Sequence, residues 1–204
     1  MTAADVANAV TAATPVTAAN RMAAVKSPAG PPRWLCSLRE PERAGHRVVL
    51  FPHAGAGPYA LNHLVAMVPP TAEVLALSLP GREGRLRESP RSRLADVLDA
   101  VEAELRERAP LPTVLIGCSV GALLAVRTAE RLAGLCGGVL VAGQTPGGHE
   151  RPALYAEGER ELLRVFTAAG DTPPAILADA DIRASLLARL HADLRLGAEA
   201  EWGF

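Results

Sequence analysis

The chain has 204 residues and a mass of 21.3 kDa, which suits one domain with a full hydrophobic core better than two independent domains. Hydrophobic residues make up 49% of the chain and charged residues 21%, a balance typical of folded proteins and unlike that of disordered ones. The net charge of −1 and the mixing of arginine with glutamate offer no one-signed surface to a phosphate backbone, so no nucleic-acid partner is expected.

The cysteines and the apolar runs indicate the cellular compartment. Cys36, Cys118 and Cys136 form neither a CxxC pair nor an even set, which fits a reducing environment. No apolar run approaches the roughly 20 residues of a membrane-spanning helix, and no signal-peptide pattern is present. We therefore expect a cytoplasmic protein without a membrane partner.

The first segment of the chain differs in composition from the rest. Residues 1–32 are rich in Ala, Thr and Pro, and their one short helical pattern would be marginal in water. They are predicted to form a flexible leader. From residue 33 to residue 204, short apolar runs alternate with helical periodicity, which predicts one α/β domain with a mostly parallel sheet flanked by helices.

The predicted elements of this domain follow from apolar periodicity, from glycine and proline positions and from one cap signal. The charged stretch 82–93 is predicted to be a solvated loop, and Ser92 is predicted to cap the helix after it. The predicted strands are 46–51, 73–79, 113–117 and 138–142, and the predicted helices are 59–68, 94–108, 122–132, 157–168 and 179–196.

The motif that indicates chemistry is Gly117-Cys118-Ser119-Val120-Gly121, a G-x-S-x-G sequence between an apolar strand and a helix of small residues. A sharp strand-to-helix turn there would strain the serine backbone and expose its hydroxyl. The helix N-terminus behind it can stabilise an oxyanion. We predict that Ser119 is a nucleophile and that the N–H of Val120 is an oxyanion donor; the alternative is a tight turn without chemistry.

A second oxyanion donor is expected from the glycine-rich loop after the first predicted strand, Phe51-Pro52-His53-Ala54-Gly55-Ala56-Gly57. Its glycines permit a close approach of the backbone to a substrate carbonyl, and we assign the N–H of Ala54. A turn that binds no ligand remains an alternative. A phosphate cradle is disfavoured because the Lys-Ser/Thr ending of a P-loop is missing.

These motifs together resemble type II thioesterases, the α/β-hydrolases that accompany polyketide synthases and nonribosomal peptide synthetases. The resemblance covers about residues 33–196. It is carried by FPHAGAG, LSLPGREGRLRE at 77–88, the serine motif with ALLAVRTAERL behind it, AGQTP, and LLARLHADLRL at 186–196.

The resemblance implies hydrolysis of acyl thioesters from the 4'-phosphopantetheine arm of acyl or peptidyl carrier proteins, without a cofactor of its own. It also implies that a helical insert, here about residues 147–195, forms a lid over the substrate. His53 occupies a position where the family has a histidine besides the catalytic one, which makes it a possible substrate contact.

Two departures from the family pattern matter. Cys118 stands where the family usually has histidine, and we expect it to be a packed small side chain rather than a reactive thiol. The family's catalytic Asp and His lie in segments that would follow Phe204, so neither is identified here. Some related thioesterases place the acid directly after the strand that follows the serine motif, but Gly143-Gln144-Thr145 provides none there.

The remaining histidines offer one substitute base and no metal site. His149 follows the last predicted strand and is the only other candidate base besides His53. The histidines at 46, 63 and 191 are predicted to be surface or packing residues. No metal is expected because no spacing such as HExxH occurs.

The resemblance therefore predicts a fold whose last strands are missing, with strand 139–142 as an unprotected edge. The chain is expected to be a monomer or weak dimer and, without a base, weakly active or inactive. Two alternatives to a truncated thioesterase remain open, a non-catalytic module that binds carrier proteins and a different serine acyl-hydrolase or acyltransferase on the same fold.

Overall fold

The computed structural model describes residues 33–90, 92–132, 134–144, 159–168 and 177–200. The predicted leader at residues 1–32 lies outside the described residues, and so do Thr145, His149 and much of the predicted insert.

The core of the fold is a five-stranded sheet with the order β1-β3-β2-β4-β5. β2 pairs in parallel with β3 and β4, and β4 pairs in parallel with β5, whereas β1 is antiparallel to β3. The mostly parallel sheet is thus confirmed, although β1 was not predicted. The strands are β1 (Leu35–Arg39), β2 (His46–Phe51), β3 (Ala72–Leu77), β4 (Thr113–Cys118) and β5 (Cys136–Ala142).

Four α-helices and two 3-10 helices are described around this sheet. None of the described helices is long and apolar enough to cross a membrane. The α-helices are α1 (Leu94–Glu107), α2 (Val120–Arg131), α3 (Glu159–Ala168) and α4 (Ala180–Glu199), and the 3-10 helices are η1 (Asn62–Met67) and η2 (Glu83–Arg85).

Two local predictions about helices were wrong. The helix predicted at 59–68 is the shorter 3-10 helix η1, and Val68 after it is extended, as expected for a residue that precedes a proline. Ser92 does not cap α1, because Arg93 takes the N-cap position without a side-chain hydrogen bond. The N–H of Leu94 instead donates to the Glu199 carboxylate across 3.0 Å.

The two faces of the sheet are covered differently. Helices α1, α2 and α4 bury one face, where Val97, Leu123 and Leu190 belong to one apolar cluster. On the other face a smaller cluster joins β2 and β3 to residues in and around η1. β5 is an edge strand of the described sheet, and its Leu140 is 58% exposed. Among the described residues, β5 thus lies at the edge of the sheet and carries exposed apolar side chains.

Candidate active site

Ser119 forms the turn between β4 and α2. Its backbone has φ 54° and ψ −121°, a conformation that costs energy for a residue with a side chain and persists only where its surroundings impose it. The residue is half-buried, and its N–H donates to the carbonyl of Ala142 at the end of β5 across 2.8 Å. The predicted strained turn is therefore present, and Ser119 lies outside the buried core.

The two glycines of the motif permit this turn because neighbouring backbone occupies the space of a side chain. A Cβ on Gly117 would overlap the carbonyl oxygen of Gly121 and lie 2.5 Å from the Cα of Ala122. A Cβ on Gly121 would overlap the carbonyl oxygens of Phe51 and Pro52. Helix α2 consequently starts in direct contact with the glycine-rich loop.

The predicted oxyanion donors lie at the same edge of the sheet. β2 and β4 are parallel neighbours, and Phe51 is paired with Gly117, so the segments that follow both strands begin side by side. Ala54 and Val120 are each 4% exposed. Within the described part of the chain, neither N–H donates to an acceptor. Buried N–H groups are usually paired, so these two are candidate donors to a negatively charged oxygen.

The segment after β5 supports the nucleophile turn from the other side. Gly143 has φ 67°, and a Cβ on it would lie 3.5 Å from the Ser119 nitrogen. The side-chain amide of Gln144 donates to the Ser119 carbonyl oxygen across 2.6 Å. The segment after β5 thus provides an amide, rather than an acid, that holds the backbone of Ser119.

His53 and Cys118 flank these segments. His53 is half-buried, and its carbonyl oxygen accepts a hydrogen bond from the N–H of Ala56 across 3.2 Å. Cys118 is half-buried and packs against the apolar cluster of β2 and β3, as expected for a packing residue.

The other titratable residues suggest neither a triad nor a metal site. His46 begins β2, His63 lies in η1 and His191 lies in α4. We assign no triad His or Asp among them. In the described ranges, no group of three His, Cys, Asp or Glu residues is arranged to hold a metal ion.

A buried charged pair that was not predicted from the sequence lies beside the site. The stretch 82–93 was predicted to be solvated, yet Arg82 is 2% exposed and Arg85 is 7% exposed. Arg85 stacks on Trp34, with its guanidinium carbon 4.2 Å from the ring centroid. Arg82 pairs with Asp193 of α4, which is 1% exposed. The sequence did contain one indication of this pair. Asp193 follows Leu190 by three residues and therefore lies on the apolar face of the last helix.

Three groups in and near this charged region have shifted pKa values. Burial raises the pKa of the Glu83 carboxyl, although Arg82 and Arg189 oppose that rise. Burial, followed by the charge of Arg82, lowers the pKa of Arg189. A hydrogen bond with the Cys36 thiol raises the pKa of Tyr59 to about 12. Partial burial therefore disfavours the charged forms of both Glu83 and Arg189 beside the Arg82 and Asp193 pair.

Comparison with known proteins agrees with this geometry. Residues 46–201 match the family model described as Thioesterase domain. The chain is 30% identical over 185 residues to the probable cadicidin biosynthesis thioesterase of Streptomyces griseus, covering 89% of this chain and 49% of that protein. The curated relatives are longer, since the chain spans between 8% and 65% of their lengths.

Solved structures with the same fold include thioesterases of biosynthetic pathways. The RedJ thioesterase of the prodiginine pathway of Streptomyces coelicolor matches with a TM-score of 0.69 and 27% identity, over 91% of this chain and 74% of that one. The type II thioesterase BorB of the borrelidin cluster matches with a TM-score of 0.67 and 25% identity, over 84% and 71%. The chain therefore belongs to the thioesterase domain family and resembles its type II members on the α/β-hydrolase fold.

Proposed function

We propose that this protein hydrolyses acyl thioesters on the 4'-phosphopantetheine arm of acyl or peptidyl carrier proteins in polyketide or nonribosomal peptide biosynthesis. The observation that carries the proposal is the strained backbone of Ser119 between β4 and α2. It presents a serine at the sheet edge where two buried N–H groups have no described acceptor.

The chemistry follows from these positions. The Ser119 oxygen attacks the thioester carbonyl and forms a C–O bond while its proton passes to a base. The N–H groups of Ala54 and Val120 stabilise the tetrahedral oxyanion. The C–S bond then breaks, the carrier thiol leaves with a proton, and water hydrolyses the Ser119 ester to a free acid. These reaction steps need no cofactor, because the pantetheine arm belongs to the carrier protein.

The base and the acid of the triad stay unassigned, and His53 is proposed to contact substrate. The three cysteines, all among the described residues, form no disulfide, which supports a reducing compartment, and we infer a cytoplasmic location. The names of the relatives, which refer to biosynthetic pathways, support carrier proteins of such synthases as partners.

The test is hydrolysis of an acyl-carrier thioester by the chain and by its Ser119→Ala variant. Because no base is assigned, we expect slow release of free acid that depends on Ser119, together with an acyl adduct on the intact protein that mass spectrometry places on Ser119. Equal rates for both proteins would refute the serine mechanism. Carrier binding without turnover would instead indicate a binding module, and ester cleavage far faster than thioester cleavage would indicate another acyl-hydrolase.

A further inference from the structure

The pair of Arg82 and Asp193 is a buried two-point ion pair. Arg82 Nη1 lies 2.8 Å from Asp193 Oδ2, and Arg82 Nη2 lies 2.9 Å from Asp193 Oδ1. Their side chains are 2% and 1% exposed. Removing two charges from water is expensive, and such pairs often stabilise a fold no better than apolar residues would. A contribution to stability therefore does not by itself explain why this ion pair is buried at this place.

Both members of the pair also bind the backbone of the glycine-rich loop. The N–H of Gly55 donates to Asp193 Oδ2 across 2.7 Å, and the carbonyl oxygen of Ala56 accepts from Arg82 Nη1 across 2.8 Å. The first of these bonds fixes the peptide group that joins Ala54 to Gly55. That peptide is the neighbour of the one that carries the N–H of Ala54, so anchoring it restricts the backbone at Ala54 and limits how the proposed oxyanion donor can reorient.

Helix α4, which carries Asp193, also packs against the second proposed donor. A Cβ on Gly197 would lie 3.1 Å from Val120 Cγ2. At the loop, a Cβ on Gly55 would lie 2.6 Å from Leu190 Cδ2. One helix thus contacts both segments that carry the proposed donors, and the ion pair is a polar link between that helix and the loop.

We propose that Asp193, whose charge Arg82 neutralises, is a positioning residue that holds the N–H of Ala54 in place for the oxyanion. This inference rests on the proposed function, because it concerns the same oxyanion site. Asp193 acts through its acceptor bond from Gly55, and Arg82 acts through Ala56 and by neutralising the carboxylate. The competing explanation is that the pair only fastens α4 to the rest of the fold.

Two double variants separate these explanations. Arg82→Met with Asp193→Asn removes both charges but keeps an oxygen that can accept from Gly55 N–H. Arg82→Met with Asp193→Leu removes both charges and the acceptor. Neither variant leaves an unpaired buried charge, which would unfold the protein for an unrelated reason. Thermal unfolding is measured first, to verify that the two proteins are comparably stable.

The kinetic readout is the Ser119-dependent hydrolysis of an acyl-carrier thioester, with Ser119→Ala as the baseline. Loss of an oxyanion donor costs about 10² to 10³ in kcat, and we expect the leucine variant to lose at least about 10-fold in kcat relative to the asparagine variant. KM should change little, because the interaction strengthens in the transition state. Equal kcat values at equal stability would overturn the inference.

The second readout does not need turnover. Amide hydrogen exchange of residues 53–57 should be faster in the leucine variant than in the asparagine variant, while exchange in β2 should be the same in both. Equal exchange in the loop would overturn the inference. If the unaltered chain hydrolysed no faster than Ser119→Ala, the proposed function would fail, and exchange alone would decide whether the pair orders the loop.

Discussion

The side-chain amide of Gln144 donates a hydrogen bond of 2.6 Å to the carbonyl oxygen of Ser119. The same carbonyl accepts the N–H of Ala122 in the first turn of α2 across 2.9 Å. Two donors from different elements thus fix the peptide group that joins Ser119 to Val120, whose N–H is a proposed oxyanion donor.

Replacement of Gln144 by leucine is expected to lower the rate of the Ser119-dependent reaction. A hydrogen bond of this kind contributes about 0.5–1.5 kcal/mol, so kcat should fall roughly 2- to 10-fold. Gln144→Glu should fall further at neutral pH, because a carboxylate would face the carbonyl oxygen. Steady-state kinetics of the two variants test this, and a glutamate variant as active as the unaltered chain would contradict it.

The glycines of the serine motif should be far less replaceable than a glycine of the adjacent strand. Gly117→Ala is expected to destabilise the fold by at least about 3 kcal/mol, because its Cβ would overlap backbone of α2 that cannot move independently. Gly138→Ala is the matched control, since nothing lies within 4 Å of its Cβ. Denaturant unfolding should show a control change within about 1 kcal/mol; equal losses would refute the steric argument.

Neutralising either of two glutamates in the loop after β3 should change the stability of the folded protein, and the two changes should have opposite signs. Burial raises the pKa of Glu83, so its ionised form is disfavoured in the folded state, and the stability linked to its proton is lost as pH rises. The Arg85 hydrogen bond lowers the pKa of Glu88, so its contribution is present at neutral pH and lost as pH falls.

Glu83→Gln should therefore raise the melting temperature at pH 7, whereas Glu88→Gln should lower it. Both effects should shrink near pH 4, where carboxyl groups approach half protonation. Each should stay below about 1 kcal/mol, because both side chains are partly solvated. Melting curves at the two pH values test the pair, and shifts of the same sign at pH 7 would contradict this assignment.

Self-association is expected to proceed through the β5 edge. Val139, Leu140 and Val141 are 37%, 58% and 40% exposed, and an apolar edge strand is a template for pairing with another chain. Leu140→Lys should keep the weight-average mass at the monomer value as concentration rises. Met67→Lys is the control, because Met67 is 76% exposed but lies in η1. Sedimentation equilibrium should show association of the control and of the unaltered chain.

The regular elements could be predicted because their signals are local. β2 was predicted with its observed bounds, since an apolar run ends at a proline and glycine loop, and the buried positions of α1 recur at spacings of three and four. β1 was missed because Cys36, Ser37 and Arg39 dilute its apolar character; pairing with β3 and a bond from Leu35 N–H to Glu104 hold it in place.

Within the candidate site, too, contacts between neighbours in sequence could be predicted, whereas contacts between distant residues could not. Ser119 and its glycines are neighbours in sequence, so their turn could be predicted. The partnership of Arg82 with Asp193 joins residues 111 positions apart, and no local pattern distinguishes a buried arginine from a solvated one. The packing of the insert predicted at about 147–195 also depends on contacts with residues far away in the sequence. Its last part lies in α4 and buries Leu187 and Leu190.

The bond between Gly55 and Asp193 spans 138 positions of the chain. During synthesis the ribosome therefore releases the glycine-rich loop long before the carboxylate that anchors it. A nascent polypeptide that already contains Ser119 would still have an unanchored loop, and contacts of such separation form late because their loop-closure entropy is large. Competence for acyl transfer should accordingly appear only after α4 has emerged and docked, which would keep unfinished chains from attacking thioesters in the cell.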